Sequence, residues 1–195
     1  MSDPVVVGIS GASGAVYGIE ALRLLREIGI PAHLVVSELG AQTIDIETDM
    51  SLDDVRALAD VTYSNKDLTS AIASGSFMTR GMLVAPCSIK TLSGVANSFS
   101  MNLLVRAADV TLKERRPLVL MVRETPFHRG HLRLMSDAAA AGARIMPPVP
   151  AFYTRPQTVE DIVHHSVARA LDLLGIDHDL IERWMGDPRR TDASC

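Results

Sequence analysis

The feature that most narrows the fold is a recurring one: short, wholly apolar runs that each stop at small polar or charged residues. Val5–Ser10 runs into a turn with glycines at 8, 11 and 14. Ala32–Val36 halts at Ser37, and Gly81–Cys87 runs into Ser88, Thr91, Ser93 and Gly94. Pro117–Val122 ends on Arg123-Glu124. Apolar runs of this length, without polar alternation, suit strands buried on both faces of a sheet. Helical spacing separates them. Ala15, Ile19, Leu22 and Leu25 recur at that spacing up to Gly29, a helix-ending glycine. Leu103–Glu114 and His131–Ala141 follow, with a last helix from Thr158 to Leu174 whose stripe is Val163, Val167, Ala170, Leu171 and Leu174. Ser51-Leu-Asp-Asp54 and Thr158-Val-Glu-Asp161 are capping boxes with Asp in place of Glu, the first opening a helix to Ala59. Arg144–Met146 is a short strand before Pro147-Pro148. Strands alternating with helices predict an α/β fold: one doubly wound, three-layer, flavodoxin/Rossmann-like domain with a mainly parallel sheet. It is expected over residues 1–186, with 187–195 a flexible polar tail.

The 195 residues are 47% hydrophobic but only 4% aromatic, so aliphatic side chains must fill the core. A formal charge of −4 leaves no global footprint for nucleic acid or an anionic membrane. No apolar run approaches a bilayer span, and Met-Ser-Asp-Pro at the start lacks the regions of a signal peptide. A cytoplasmic protein is expected. Cys87 and Cys195 make no disulfide framework, and the six histidines show no ligand spacing, so no metal site is predicted. His164 and His165 are expected at the surface.

Ligands of open α/β sheets bind beyond the carboxyl ends of the strands, and four such ends are visible here. The first turn lacks the G-x-G-x-x-G spacing of dinucleotide folds and the Gly-Lys-Ser/Thr of NTP loops. Its glycines let backbone approach a ligand, and the helix behind it offers N–H groups to an anion; otherwise it is only a tight turn. Ser88 and Thr91 either hold a phosphate monoester or merely cap a helix. Cys87, with no His partner, reads as a small buried thiol. Arg106 and Lys113 share one helix face two turns apart and, with Arg123, form either a site for a phosphorylated substrate or a solvated basic face. Glu124 either shuttles a proton or balances charge. Arg169 lies off the buried stripe of its helix, facing water or another subunit's site.

These residues resemble the UbiX family of flavin prenyltransferases, formerly called phenolic acid or polyprenylhydroxybenzoate decarboxylases. The resemblance is carried by Gly8-Ile-Ser-Gly-Ala-Ser-Gly-Ala-Val-Tyr-Gly18, Pro86-Cys-Ser-Ile-Lys-Thr-Leu-Ser-Gly94 and the segment Arg106–Pro126, with its Lys-Glu-Arg-Arg-Pro-Leu-Val-Leu core. Pro147–Tyr153 and Val159–Val163 follow in order, so it spans the chain nearly to Trp184. It implies FMN binding by Gly11, Ala12, Ser13, Ser37, Ser88, Ile89, Lys90, Thr91 and Arg123. It implies a prenyl phosphate site from Arg106, Lys113, Glu124, Tyr153 and Arg169, formed between subunits of a dodecamer. Leu68 stands where some relatives carry Trp.

The implied reaction joins the dimethylallyl group of dimethylallyl monophosphate to N5 and C6 of reduced FMN, for a partner UbiD-type decarboxylase. It serves ubiquinone biosynthesis or aromatic acid breakdown. A monophosphate leaving group needs less neutralisation than a diphosphate, so Arg106, Lys113 and Arg169 suffice without metal. Ser13, Lys113 and Glu124 are the expected catalytic residues: Ser13 near N5, Glu124 in proton transfer with the departing phosphate. A flavin-dependent decarboxylase of the cysteine-decarboxylase type is the competing enzyme, but its catalytic His and Pro-x-Met-Asn segment are not found. A non-catalytic FMN carrier would have no use for Lys113 or Arg169.

Overall fold

A computed structural model describes residues 2–186; the expected flexible tail, 187–195, lies outside the described residues. Six strands form one sheet: β1 Val5–Ile9, β2 Ala32–Val36, β3 Val61–Ser64, β4 Gly81–Cys87, β5 Leu118–Val122 and β6 Arg144–Ile145. Their order is β3-β2-β1-β4-β5-β6 and each neighbouring pair is parallel. The mainly parallel sheet is thus wholly parallel, in the strand order of the dinucleotide-binding folds. That order reverses direction between β1 and β4, which pair directly from Val5 opposite Gly81 to Gly8 opposite Val84. The carboxyl ends of these two strands therefore flank the crevice where such sheets bind ligands.

Among the described residues, seven α-helices cover the two faces. On one lie α1 Ala15–Glu27, α2 Glu38–Glu47, α3 Leu52–Arg56 and α7 Val159–Leu173. Their core contains Val5, Val7 and Ile9 from β1, Leu22 and Leu25 from α1, and Val167 and Leu171 from α7. On the other lie α4 Ile89–Ala96, α5 Leu103–Lys113 and α6 Arg129–Ala140, packed on Val6, Met82, Val84 and Leu120. Alternate residues of β1 thus enter opposite cores, which is why that run carries no polar position. Both capping boxes form. Ser51 Oγ accepts from Asp54 N (3.1 Å) and Thr158 Oγ1 from Asp161 N (3.1 Å), while each Asp accepts the cap's own N–H in return.

Two elements have no clear period in the sequence. α2 buries only Gly40 and Ile44, so it lacks a continuous apolar stripe. β3 is an edge strand with most of its side chains exposed. The helix expected from Ser51 to Ala59 is shorter, ending at Arg56, and α6 begins two residues before His131, capped by the His128 ring. His164, expected at the surface, is partly exposed there and also makes specific contacts. Its Nδ1 lies 2.9 Å from Glu20 of α1 and its Nε2 3.0 Å from Leu180 O, tying α7 to α1 and to the chain that follows.

α1 crosses β1 and β4 at Gly18, where an added Cβ would lie 2.3 Å from Ala85 O and 2.6 Å from Ile9 Cγ1. Backbone cannot yield as a side-chain tip can, so Gly18→Ala is expected to destabilise the fold by about 1–3 kcal/mol. Urea denaturation at neutral pH measures this, and the midpoint should fall with the slope unchanged.

Candidate active site

The crevice opens between the turns that leave β1 and β4. Ser10, 1% exposed, joins them: its hydroxyl donates to Pro86 O (2.8 Å) and accepts from Ser88 N (2.8 Å). Beyond it, Gly11 passes so close to α2 that a Cβ there would stand 2.2 Å from Leu39 Cβ. Only a residue without a side chain lets the turn pack this closely against α2. The resulting cleft, about 980 Å³, is bordered by Gly11, Ala12, Ser37, Ser88, Ile89, Lys90, Thr91, Arg123 and Glu124. Eight of the nine residues expected to hold FMN therefore line one cavity, with Glu124 beside them; the ninth, Ser13, follows Ala12 in the same turn but does not border the cavity. Arg123 and Glu124 both border it because β5 ends at Val122, so strand alternation no longer separates their side chains. Phe99, Met101 and Val105 supply an apolar wall, and Lys66 adds a cation that the sequence reading did not select.

The two strand-to-helix turns divide the work differently from the expectation. α1 was expected to offer free N–H groups to an anion. Instead the N–H groups of Gly14 and Ala15 donate to Glu47 Oε2 at 2.8 and 3.0 Å. Gly14 adopts a left-handed conformation (φ 102°) and has no side chain with which to cap the helix, so a carboxylate from the end of α2 does so. Burial opposes ionisation of Glu47. The Ser13 hydroxyl, the two N–H groups and the charge of Arg123 nevertheless hold its carboxyl below the usual range. Glu47 was not identified from sequence, since it lies on the helix without a clear stripe, 33 residues from Gly14.

α4 is the open end. Ser88 Oγ accepts from Thr91 N at 3.2 Å and donates to Thr91 Oγ1 at 3.1 Å. The N–H groups of Ile89 and Lys90, the first of the helix, have no acceptor among the described residues and lie at the cleft. Ser88 is the N-cap of α4 and also lines the cleft. Helix N-terminus, hydroxyls and Lys90 together suit a phosphate monoester. Ser37 likewise caps α2, accepting from Gly40 N at 3.0 Å. Cys87 is fully buried and its thiol is pushed up to about 12 by burial, as the reading of an inert thiol required.

The remaining expected residues are not at this cleft. Arg106 binds Asp109 (2.9 Å) and Ala73 O (3.2 Å), while Lys113 pairs with Glu114. Both belong to α5 on one face of the sheet. Arg169 pairs with Asp172 on α7, on the opposite face, and Tyr153 rests there with its hydroxyl 3.1 Å from His165 Nε2. One chain therefore separates the five residues assigned to the prenyl phosphate into Glu124 at the cleft and two groups on opposite faces. No group of His, Cys, Asp and Glu among the described residues is arranged to hold a metal ion.

Since the lowered carboxyl of Glu47 stabilises the fold only while ionised, its contribution is complete above the ordinary Glu value, about 4.3. It is lost as pH falls through the native value. Glu47→Ala should thus cost about 1–3 kcal/mol at pH 7, leaving two helix N–H groups without their acceptor. The difference from wild type should shrink in urea titrations repeated at progressively lower pH.

A family model described as Flavoprotein matches residues 2–171. The flavin prenyltransferase UbiX of Escherichia coli K12 is 58% identical over 185 residues, covering 93% of this chain and 98% of that protein. The crystal structure of AnUbiX in complex with FMN and dimethylallyl pyrophosphate superposes with a TM-score of 0.93 at 46% identity, covering 95% of this chain and 99% of that one. A dodecameric FMN-dependent UbiX-like decarboxylase from Escherichia coli O157:H7 gives a TM-score of 0.90 at 47% identity over 94% of this chain and all of its own. The chain therefore belongs to the flavoprotein family and, within it, to the UbiX flavin prenyltransferases.

Proposed function

We propose that this protein is a flavin prenyltransferase that joins the dimethylallyl group of dimethylallyl monophosphate to N5 and C6 of reduced FMN, releasing phosphate. The observation that carries the reading is the cleft between β1 and β4, where one phosphate-binding helix end, a glycine backbone and an apolar wall meet. The N-terminus of α4, with Ser88, Thr91 and Lys90, takes the FMN phosphate. Gly11 and Ala12 let the ring system lie against backbone, and Arg123 stands beside it. Reduced FMN supplies the nucleophilic nitrogen and ring carbon; the protein supplies orientation and charge.

Ser13 belongs to the glycine turn whose Gly14 and Ala15 N–H groups are held by Glu47, and it is read as lying near N5 of the flavin. As the carbon–oxygen bond of the ester breaks, its electron pair leaves with the phosphate, and fixed cations must meet that charge. Lys113, Arg106 and Arg169 are the cations for this role, with Glu124 exchanging the proton of the departing phosphate. Tyr153 lines the same substrate position. Because α5 and α7 hold three of these cations away from the chain's own cleft, the reading requires neighbouring copies to bring them to it. A UbiX-like relative is described as dodecameric, and the same assembly is proposed here, with each site built between subunits. The product is proposed to pass to a UbiD-type decarboxylase serving ubiquinone synthesis or aromatic acid breakdown. No helix among the described residues is long and apolar enough to cross a membrane, consistent with the proposed cytoplasmic location.

Anaerobic incubation with excess reduced FMN and dimethylallyl monophosphate, followed by mass measurement of the flavin, tests the reaction. The flavin should gain one dimethylallyl group, and an unmodified flavin after many enzyme equivalents overturns the reading. Lys113→Ala should lower turnover about 100-fold with FMN still bound. Loss of both together would instead mark a folding defect.

A further inference from the structure

One carboxylate organises the α7 side of the proposed site. Asp172, in the last turn of α7, has a side chain only 14% exposed and draws in three partners. Arg169, one turn earlier, donates through Nη1 to Oδ2. Arg183 donates through Nη2 to Oδ1 (2.9 Å) and through Nη1 to Oδ2 (3.2 Å), a two-pronged pairing of guanidinium and carboxylate. The buried His178 ring places Nε2 3.2 Å from Oδ1 and 2.9 Å from Ala168 O. Asp177 and Asp179 act on Arg183 only from outside ion-pair distance.

Arg183 belongs to the segment that follows α7 and runs back along it. Leu180 O meets His164 there, Arg183 Nη2 also donates to His178 O, and Trp184 comes within 5.6 Å of the Tyr153 ring. The charge arithmetic is informative. Arg169 with Asp172 alone makes a neutral pair, a poor partner for a phosphate dianion. Arg183 adds a second guanidinium, so that two cations share the one carboxylate of Asp172. Among the described residues Arg169 has no other partner, so the rest of its guanidinium edge is available.

We propose that Asp172 and Arg183 are positioning residues for the prenyl phosphate subsite. Asp172 aims Arg169, and Arg183, by docking the segment after α7, offsets the charge of Asp172 so that Arg169 presents a positive face to the phosphate ester. The inference rests on the assignment of Arg169 to that phosphate.

Steady-state kinetics of the assembled protein with reduced FMN and dimethylallyl monophosphate test it, with FMN affinity measured in parallel. Arg183→Gln should raise KM for the prenyl phosphate about tenfold, while kcat and FMN affinity stay within about twofold of wild type. Trp184 is the single tryptophan of the chain, so its emission should shift to the red as the segment undocks. Asp172→Asn should also raise KM. The double variant Arg169→Gln/Arg183→Gln should be no worse than Arg169→Gln alone, since both act through one guanidinium. Arg183→Lys, which keeps the charge without the fork, should recover part of the KM, and it replaces the Gln variant if that one fails to bind FMN. An unchanged KM in Arg183→Gln, multiplicative effects in the double variant, or no recovery with Lys would each overturn the proposal. A normal KM in Arg169→Gln would instead remove the assignment of Arg169 on which it rests.

Discussion

The site depends on the way Ser10 bridges β1 and β4. Parallel strands diverge in connectivity at this point of the sheet, one chain leaving toward α1 and the other toward α4, and a crevice opens because nothing further along either strand joins them. The Ser10 hydroxyl, donating to Pro86 O and accepting from Ser88 N, acts with the Ser10 N–H, which donates to the same Pro86 O at 3.2 Å, to set how far apart the two turns stand. Being 1% exposed, it has no water to exchange with, and either bond lost would leave a buried polar group unmatched. The glycine turn and the open end of α4 are therefore fixed relative to each other before any ligand arrives. This is the condition under which orientation contributes to rate.

What could be read from sequence follows from what physically constrains each segment. β1, β4 and β5 are buried on both faces, so every position had to be apolar, and the runs stood out. The cleft residues stood out for the complementary reason, since small, polar or charged residues ended those runs where a ligand enters. α2 and β3 escaped notice because neither is asked to bury much. α2 is held by Ser37 at its start and by Ile44 in the core, and β3 is paired on one side only. With α2 went Glu47, whose importance arises from a contact with Gly14 that no local pattern announces. The free N–H groups expected at the start of α1 were wrong for the same reason. A glycine N-cap signals an exposed helix end only until a distant carboxylate is found to occupy it.

The residues assigned to the prenyl phosphate show a different limit. They were selected because they lie in a dense, specific segment or on a helix face that the buried stripe does not use. Their grouping was not legible, because Arg106 and Lys113 lie above one layer of the sandwich and Arg169 and Tyr153 above the other. Within one chain each cation is neutralised locally, by Asp109, Glu114 or Asp172. Local pairing of this kind is what an exposed cation needs when it must stay soluble and ordered before its partner surface or ligand is present.

The buried Cys87 thiol has a consequence for chemical durability. It directly precedes Ser88, a residue of the cleft read here as taking an allylic ester, a class of compound that alkylates thiolates. Burial pushes its thiol up to about 12, so that it stays protonated at neutral pH. Full burial also denies a reagent access. The proposed flavin nucleophile is thus spared a competing thiolate at this position.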